Sequence, residues 1–388
     1  MPIKDTIAQA VDRLADELDG LSRQIHAHPE LGFQEVKACG WLAEFLGRQG
    51  FKVETGVAGV DTAFRASIET GAGPTIAILC EYDALPGIGH ACGHNVIATA
   101  GAGAGAALAA VRSQLAAGRI QVIGTPAEEG GGGKIRLLTG GVFADVDCAM
   151  MIHGFDRTLL HQDLLGVVRT TLEFHGKAAH AAADPWAGVN ALDACIQTFN
   201  AVAMLRQQVR PDCRIHGIIT NGGQAVNIIP EYAAAVFSVR APKLEAMWEL
   251  HRRVLACAEG AARAAGVRLE TTQHDTVYEP MKSSRVMLDL FAANMRAVGL
   301  AEGEPIPDRL GSSDIGNVSQ RIPAIQPMVA IAPTGMAIHT REFEAAAVQP
   351  LARAGLLAAA KTMAMTTYDL LAEPARVAAA REEFARTR

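Results

Sequence analysis

The stretch TIAILCEYDALPGIGHACGHN, residues 75–95, decides our expectation of the fold. It opens with an apolar run, which is typical of a central strand covered on both faces. The run passes directly into a loop of Gly and Pro residues that also holds Asp83, Cys92 and His94. Because ligands gather at the carboxyl ends of parallel strands, this loop is either a packed turn or half of a metal site.

Composition excludes several classes of protein. The chain has 388 residues, of which 49% are hydrophobic and 20% charged, with a formal net charge of -6. This length favours two domains. No run of Lys and Arg is long enough to follow a phosphate backbone, so we expect no nucleic-acid partner. The lack of an export signal and of an apolar run of about twenty residues predicts a cytoplasmic protein without a membrane span.

Strand and helix patterns alternate after the opening loop. An Ala- and Gly-rich helix is expected at 95–118, with strands in RIQVIGTPAEEGGGG (119–133) and DCAMMIHGF (147–155). This order indicates an α/β layer arrangement, with the loops at the same strand ends. The seven cysteines are scattered without CxxC pairs, and we expect them to be reduced and mostly buried.

The pattern changes near residue 167. From there the order is βαββαβ, which is that of a small antiparallel sheet with two helices on one face. A later strand, AIQPMVAIA (324–332), returns to the first domain. We therefore predict an α/β fold with a mixed-sheet domain in two parts, 1–166 and 278–388, and an inserted α+β, ferredoxin-like domain at 167–277.

The strand ends carry side chains that bind divalent cations. Five or six such ligands exceed what one tetrahedral ion needs, which points to two adjacent ions that share a bridging water. In a pair of neighbouring glutamates, one can bind metal while the other takes a proton from that water. The residues concerned are Cys92, His94, Glu128, Glu129, His153 and His339.

Each of these residues also has a structural explanation when it is taken alone. A lone Cys is commonly a small core residue, and a Glu pair is commonly solvated surface. His153 fits a buried histidine, and His339 fits a surface position. A cysteine hydrolase built on Cys92 with His94 as its base is another alternative, but it leaves the remaining candidates unexplained.

The chain resembles the M20 family of metallopeptidases, in its amidohydrolase branch. The resemblance implies a catalytic domain with two divalent ions, interrupted by a lid that also makes a homodimer. It covers nearly the whole chain and rests on eight motifs that occur in the family's order: IHAHPELGFQE (25–35), EYDALPGIGHACGHN (81–95), PAEEGGGG (126–133), IHG (152–154), GKAAHAA (176–182), NGGQAVNIIPE (221–231), GSSDIGNVS (311–319) and IHTREF (338–343).

The resemblance also implies roles for individual residues. Glu128 matches the general base, and Asp83 matches the residue that supports the metal site from beneath. His180 resembles the lid histidine that reaches the partner subunit's active site and steadies the oxyanion. The metal ligands implied are Cys92, His94, Glu129, His153 and His339, and the substrate-binding residues implied are Asn227, Arg240, Gly311 and Ser312.

Two departures from the common pattern narrow the branch. The chain has CGHN, ending at Asn95, in place of CGHD, and GSSDIGNVS in place of a Gly-x-Glu-Asp-Phe motif. Both forms are similar to the p-aminobenzoyl-glutamate hydrolases and the aminoacylase-1-like dipeptidases. No implied metal ligand is lost by these changes.

We therefore expect hydrolysis of the amide bond of a small molecule, an N-acyl or aminobenzoyl amino acid or a dipeptide. The alternatives are an aminohydrolase acting on an aromatic amino-acid-like compound and a homologue that binds an amino-acid ligand without turnover. A mixed Cys, His and Glu set suits two zinc or manganese ions and tolerates cobalt or nickel.

Overall fold

The computed structural model describes residues 2–306 and 310–386. The chain divides into two compact units, the first comprising 1–162, 282–310 and 314–388, the second 163–281 and 311–313. In the described ranges the helices are α1 (Ile3–Arg13), α2 (Ala15–Ala27), α3 (Val36–Arg48), α4 (His94–Ala110), α5 (Gly133–Thr139), α6 (Ala191–Leu205), α7 (Leu244–Ala265), α8 (Arg285–Ala297), α9 (Ile315–Ser319), α10 (Arg341–Ala346), α11 (Pro350–Ala372) and α12 (Pro374–Arg386).

The strands form three sheets. A six-stranded mixed sheet has the order β1-β2-β4-β3-β5-β11, a four-stranded sheet the order β10-β7-β9-β8, and a small sheet pairs β12 with β6. The strands are β1 (Lys52–Thr55), β2 (Phe64–Glu69), β3 (Thr75–Cys80), β4 (Arg119–Gly124), β5 (Cys148–Met150), β6 (His153–Phe155), β7 (Gly166–His175), β8 (Arg214–Asn221), β9 (Tyr232–Ala241), β10 (Arg268–Gln273), β11 (Ala324–Ile325) and β12 (Met328–Ala330).

Strand β3 lies inside the mixed sheet, as its apolar run predicts. It pairs in parallel with β4 on one side and β5 on the other, and all six of its residues are buried. Helix α4 begins at His94 and packs on this sheet through small residues. A Cβ at Gly101 would lie 2.6 Å from the Cys80 sulfur, so glycine is required for this close approach. The loop 81–93 therefore joins a buried strand to a buried helix.

The prediction of one strand in DCAMMIHGF and one in AIQPMVAIA is wrong in detail. Each segment forms two strands, β5 and β6 in the first and β11 and β12 in the second, and each pair is divided between two sheets. Pro327 lies between β11 and β12 and has no N–H with which to continue the ladder. Its carbonyl accepts the backbone N–H of His153 at 2.9 Å. His153 therefore opens a separate small sheet instead of ending a strand of the main sheet.

The second unit has the predicted βαββαβ order. Its sheet is antiparallel throughout, and α6 and α7 pack on one face of it. Burial alternates along β7, with Val168, Leu172 and Phe174 in the core against the helices. The intervening residues of β7 point to the opposite, open face of the sheet. The names catalytic domain and lid, and the predicted borders at 166 and 278, stay predictions.

None of the helices in the described part of the chain combines the length and the apolar composition that a membrane span requires.

Candidate metal centre

Asp83 connects two loops that carry candidate metal ligands. Its Oδ1 lies 3.0 Å from His94 Nδ1, and its Oδ2 accepts the backbone N–H of Glu129 at 2.8 Å. Burial alone would raise the pKa of Asp83, but the His94 ring and the backbone N–H groups of Glu128 and Glu129 outweigh it and lower the pKa. Because an ionised Asp83 only accepts, His94 carries its proton on Nδ1 and presents a lone pair on Nε2.

The candidate ligand atoms converge in three overlapping groups, within each of which all atoms lie within 4.8 Å of one another. Cys92 belongs to two of the groups. We call Cys92, His94 and His153 the buried group, and Cys92, Glu129 and His339 the half-exposed group. The third group joins His94, Glu128 and Glu129. The structure thus brings together all six residues that the strand ends indicated.

The ligand atoms of the buried group are withdrawn from solvent. The Cys92 sulfur lies 3.5 Å from His153 Nε2, and the rings of His94 and His153 meet edge to face. His94 Nε2 is buried and has no hydrogen-bond partner among the described residues. A buried imidazole nitrogen without a partner fits a metal ligand better than a structural histidine.

The half-exposed group has a different setting. The side chain of His339 is 46% exposed, and its Nε2 lies 3.3 Å from Glu129 Oε1. His339 has a φ of 63°, a left-handed backbone conformation that is costly for a residue other than glycine. Its N–H donates to the carbonyl of Ala91 at 2.8 Å, which ties it to the loop that holds Cys92.

Burial and neighbours push the pKa values of Glu128 and Glu129 in opposite directions. Burial raises the pKa of Glu128 well above its ordinary value, and the carboxylates of Glu81 and Asp314 raise it further. Burial acts on Glu129 in the same sense, but His339 and His94 outweigh it and lower the pKa. Two adjacent carboxyl groups with separated pKa values suit an acid–base group beside a metal ligand.

The backbone before Glu128 is held in a strained form by the N-terminal motif IHAHPELGFQE. Ala127 has a φ of 58°, and its N–H donates to Glu35 Oε1 at 2.8 Å. A Cβ at Gly131 would lie 2.6 Å from the Cβ of Ala127, so the glycine run permits close packing of the loop. Glu35 is wholly buried, and burial is the main reason that its pKa rises to about 7. No pattern in the sequence predicted a role for Glu35.

A buried ionic cluster that was not predicted from the sequence lies near these residues. Lys134 Nζ donates to Glu81 Oε1 at 2.5 Å and to Asp314 Oδ1 at 2.6 Å, and all three side chains are fully buried. The two carboxylates outweigh burial and raise the pKa of Lys134, which keeps the ammonium charged. Glu81 Oε2 lies 3.6 Å from His94 Nε2, so the cluster borders the buried group.

The implied lid residues lie in the second unit. His180 is exposed, and its Nδ1 accepts the backbone N–H groups of Ala182 and Ala183, each at 3.2 Å. The carbonyl of Asn227 accepts the N–H of Ala181 at 3.0 Å, so the loops of His180 and Asn227 are adjacent. An accepting Nδ1 leaves Nε2 of the neutral ring as the N–H donor.

Arg240 and the segment 311–313 meet at another place in this unit. Arg240 Nη1 donates to Ser312 Oγ at 2.7 Å. The carbonyl of Gly311 accepts the N–H of Leu165 at 2.8 Å, which anchors the segment to the start of β7. Arg240 and Ser312 are therefore positioned as one polar pair.

Comparison with known proteins gives one consistent result. The model of peptidase family M20/M25/M40 matches residues 77–361. Xaa-Arg dipeptidase of Mus musculus is 38% identical over 98% of this chain and 92% of its own length, and a p-aminobenzoyl-glutamate hydrolase subunit of Escherichia coli is 29% identical over 95% and 91%. A dinuclear metal-binding M20 peptidase from Bacillus subtilis has the same fold, with a TM-score of 0.75, 22% identity, and coverage of 93% of this chain and 99% of that one. The chain therefore belongs to peptidase family M20/M25/M40, and it is a hydrolase that acts on a carbon–nitrogen bond.

Proposed function

We propose that this hydrolase holds two divalent cations and cleaves the amide bond of an N-acyl or aminobenzoyl amino acid or of a dipeptide. The convergence of two ligand groups on a shared Cys92 carries the proposal. Relatives named for a dipeptidase and for an aminobenzoyl-glutamate hydrolase support the substrate class. In both named substrate types, the amide nitrogen belongs to an amino acid.

The chemistry of the ligands fits a pair of cations. Cys92, His94 and His153 would hold one ion, and Cys92, Glu129 and His339 the other. Thiolate, imidazole and carboxylate together suit zinc or manganese first and tolerate cobalt or nickel. When bound, two such ions supply a nucleophilic water at neutral pH and a Lewis acid for the substrate carbonyl.

The protein's own residues then handle protons and charge. Glu128, with its raised pKa, takes the proton of the attacking water and gives it to the leaving amine. His180 donates from Nε2 to the tetrahedral oxyanion, because its Nδ1 already accepts two backbone N–H groups. Arg240 and Ser312, with Asn227 and Gly311, hold the carboxylate of the substrate.

We also propose that the protein is a cytoplasmic homodimer formed through the second unit. Strand β8 lies at one edge of its sheet, with Ile218 65% exposed. An edge strand with exposed apolar residues favours pairing with another chain. In the dimer, His180 acts in the active site of the partner subunit, as the family resemblance implies.

Replacement of Glu128 tests the proposed chemistry. Glu128→Gln should keep the metal content of the wild type and lower turnover by about a hundredfold to ten-thousandfold, because the proton acceptor is lost. The assay measures the amine released from aminobenzoyl-glutamate, N-acyl amino acids and dipeptides. Glu44→Gln, at a side chain that is 70% exposed on α3, is the matched control.

Three results would contradict the proposal. One is full turnover by Glu128→Gln, and another is loss of both ions from that variant. The third is release of ammonia without a second organic product, which would identify the aminohydrolase alternative.

A further inference from the structure

One end of the open face of the second unit's sheet carries two neighbouring arginines. In the β7–β9 register Arg169 lies opposite Ser238, and Val167 lies opposite Arg240. Arg169 and Arg240 are therefore diagonal neighbours on adjacent strands, a spacing that long side chains bridge. Burial, and then the charge of Arg169, lower the pKa of Arg240, which agrees with this proximity.

Neither guanidinium is neutralised. Among the described residues, no carboxylate lies within ion-pair distance of Arg169 or Arg240, and the hydrogen-bond partner of Arg240 is the neutral hydroxyl of Ser312. The other end of the same face is balanced, since Glu270 pairs there with His175 and Arg268. Two like charges side by side are unfavourable unless an anion joins them.

An unpartnered hydroxyl lies at the same place. Ser238 Oγ is buried and has no hydrogen-bond partner within residues 2–306 and 310–386. Buried polar atoms are nearly always paired in native proteins, so such an atom beside two unpaired cations indicates a missing ligand. An anion with several acceptor oxygens would satisfy the guanidinium groups and the hydroxyl together.

We propose that Arg169 is a specificity-determining residue that binds the side-chain carboxylate of an acidic amino acid at the C-terminal end of the substrate. The inference rests on the proposed function, in which Arg240 and Ser312 hold the α-carboxylate of the same amino acid. An aspartate or glutamate in that position carries two carboxylates, one for each guanidinium. An arginine or lysine side chain there would meet the like charge of Arg169.

Matched substrates test this assignment on the metal-loaded full-length protein. Aminobenzoyl-glutamate and aminobenzoyl-glutamine differ only in the charge of the side chain. Wild-type kcat/KM should favour the glutamate substrate by about tenfold to a hundredfold, the range of a charge-assisted hydrogen bond. Arg169→Met should bring that ratio close to one and leave turnover of the glutamine substrate within about threefold of the wild type.

Two further variants separate charge from shape. Arg169→Glu should reverse the order, so that aminobenzoyl-arginine becomes a better substrate than aminobenzoyl-glutamate. Arg263→Met, on the exposed surface of α7, is the matched control and should keep the wild-type ratio. Product inhibition of the wild type by glutamate and by glutamine gives the same comparison without a variant.

The outcomes distinguish this inference from the proposed function. Hydrolysis of both substrates with an equal ratio in wild type and Arg169→Met overturns the role of Arg169 alone. Equal inhibition of the wild type by glutamate and glutamine does the same. Absence of hydrolysis with every substrate overturns the proposed function and this inference together.

Discussion

The buried group and the half-exposed group share Cys92 but differ in their access to solvent. His94 and His153 are closed off, and His94 is oriented by Asp83 and bordered by the Glu81–Lys134–Asp314 cluster. His339 is 46% exposed and holds a strained backbone conformation. The comparison teaches that one ion would be enclosed by rigid neighbours, while the other would lie where substrate and water arrive.

The largest expected effect is an asymmetry between two histidine variants. His153→Ala and His339→Ala should each keep about one ion per chain and lose turnover, because each removes a ligand from only one group. The ion that remains in His339→Ala is the enclosed one, and a chelator should remove it at least about tenfold more slowly than the ion left in His153→Ala. Equal removal rates, measured by elemental analysis over time, would refute the difference between the groups.

The second prediction concerns the cluster beside the buried group. Lys134→Met leaves Glu81 and Asp314 buried without a cation and should lower the free energy of unfolding by about 3–5 kcal/mol. Lys361→Met is the matched control. Its ion pair with Asp12 is partly exposed, so the loss should stay below about 1 kcal/mol. Urea unfolding in the presence of a chelator measures both variants.

A triple variant separates charge from packing in this cluster. Lys134→Met combined with Glu81→Gln and Asp314→Asn removes every charge and should recover most of the lost stability. If Lys134→Met alone is as stable as the wild type, the cluster does not support the buried group.

The smallest expected effect is a pH dependence from Glu35, which braces the loop leading to the half-exposed group. Its pKa rises from 4.5 to about 7 on folding, so between these values the unfolded chain releases a proton that the folded protein keeps. Stability should therefore fall as pH rises through this window and stay level above it. Glu35→Gln should weaken the fall between about pH 5 and pH 8 by about 2 kcal/mol, measured by urea unfolding. Identical pH profiles for wild type and variant would contradict the buried, protonated state.

Local patterns in the sequence predicted much of the fold. The apolar run of β3 and the alternation along β7 are visible within a few residues, because strand periodicity is local. The six metal candidates were recognised since each follows a strand pattern with ligand-type side chains. The switch of strands between sheets at Pro327 was missed, because Pro disrupts a ladder but does not show where the chain goes next.

Contacts between distant segments had no such signal. Lys134 pairs with Glu81 across 53 positions and with Asp314 across 180, and no local pattern relates such residues. Glu35 reaches Ala127 across 92 positions. Arg169 looks like an ordinary polar residue of an alternating strand until the register places it beside Arg240. These residues became visible only when burial and missing partners were known.

The number of metal ions per chain, measured by elemental analysis of wild type and Cys92→Ser, is the most direct test of the shared centre. We predict two ions per wild-type chain, loss of amide hydrolysis when a chelator removes them, and recovery when a divalent ion is returned. Cys92→Ser should lose affinity at both positions at once, since the thiolate belongs to both groups. A wild-type protein with a single ion, or a Cys92→Ser variant that keeps both ions tightly, would contradict a centre built on a shared thiolate.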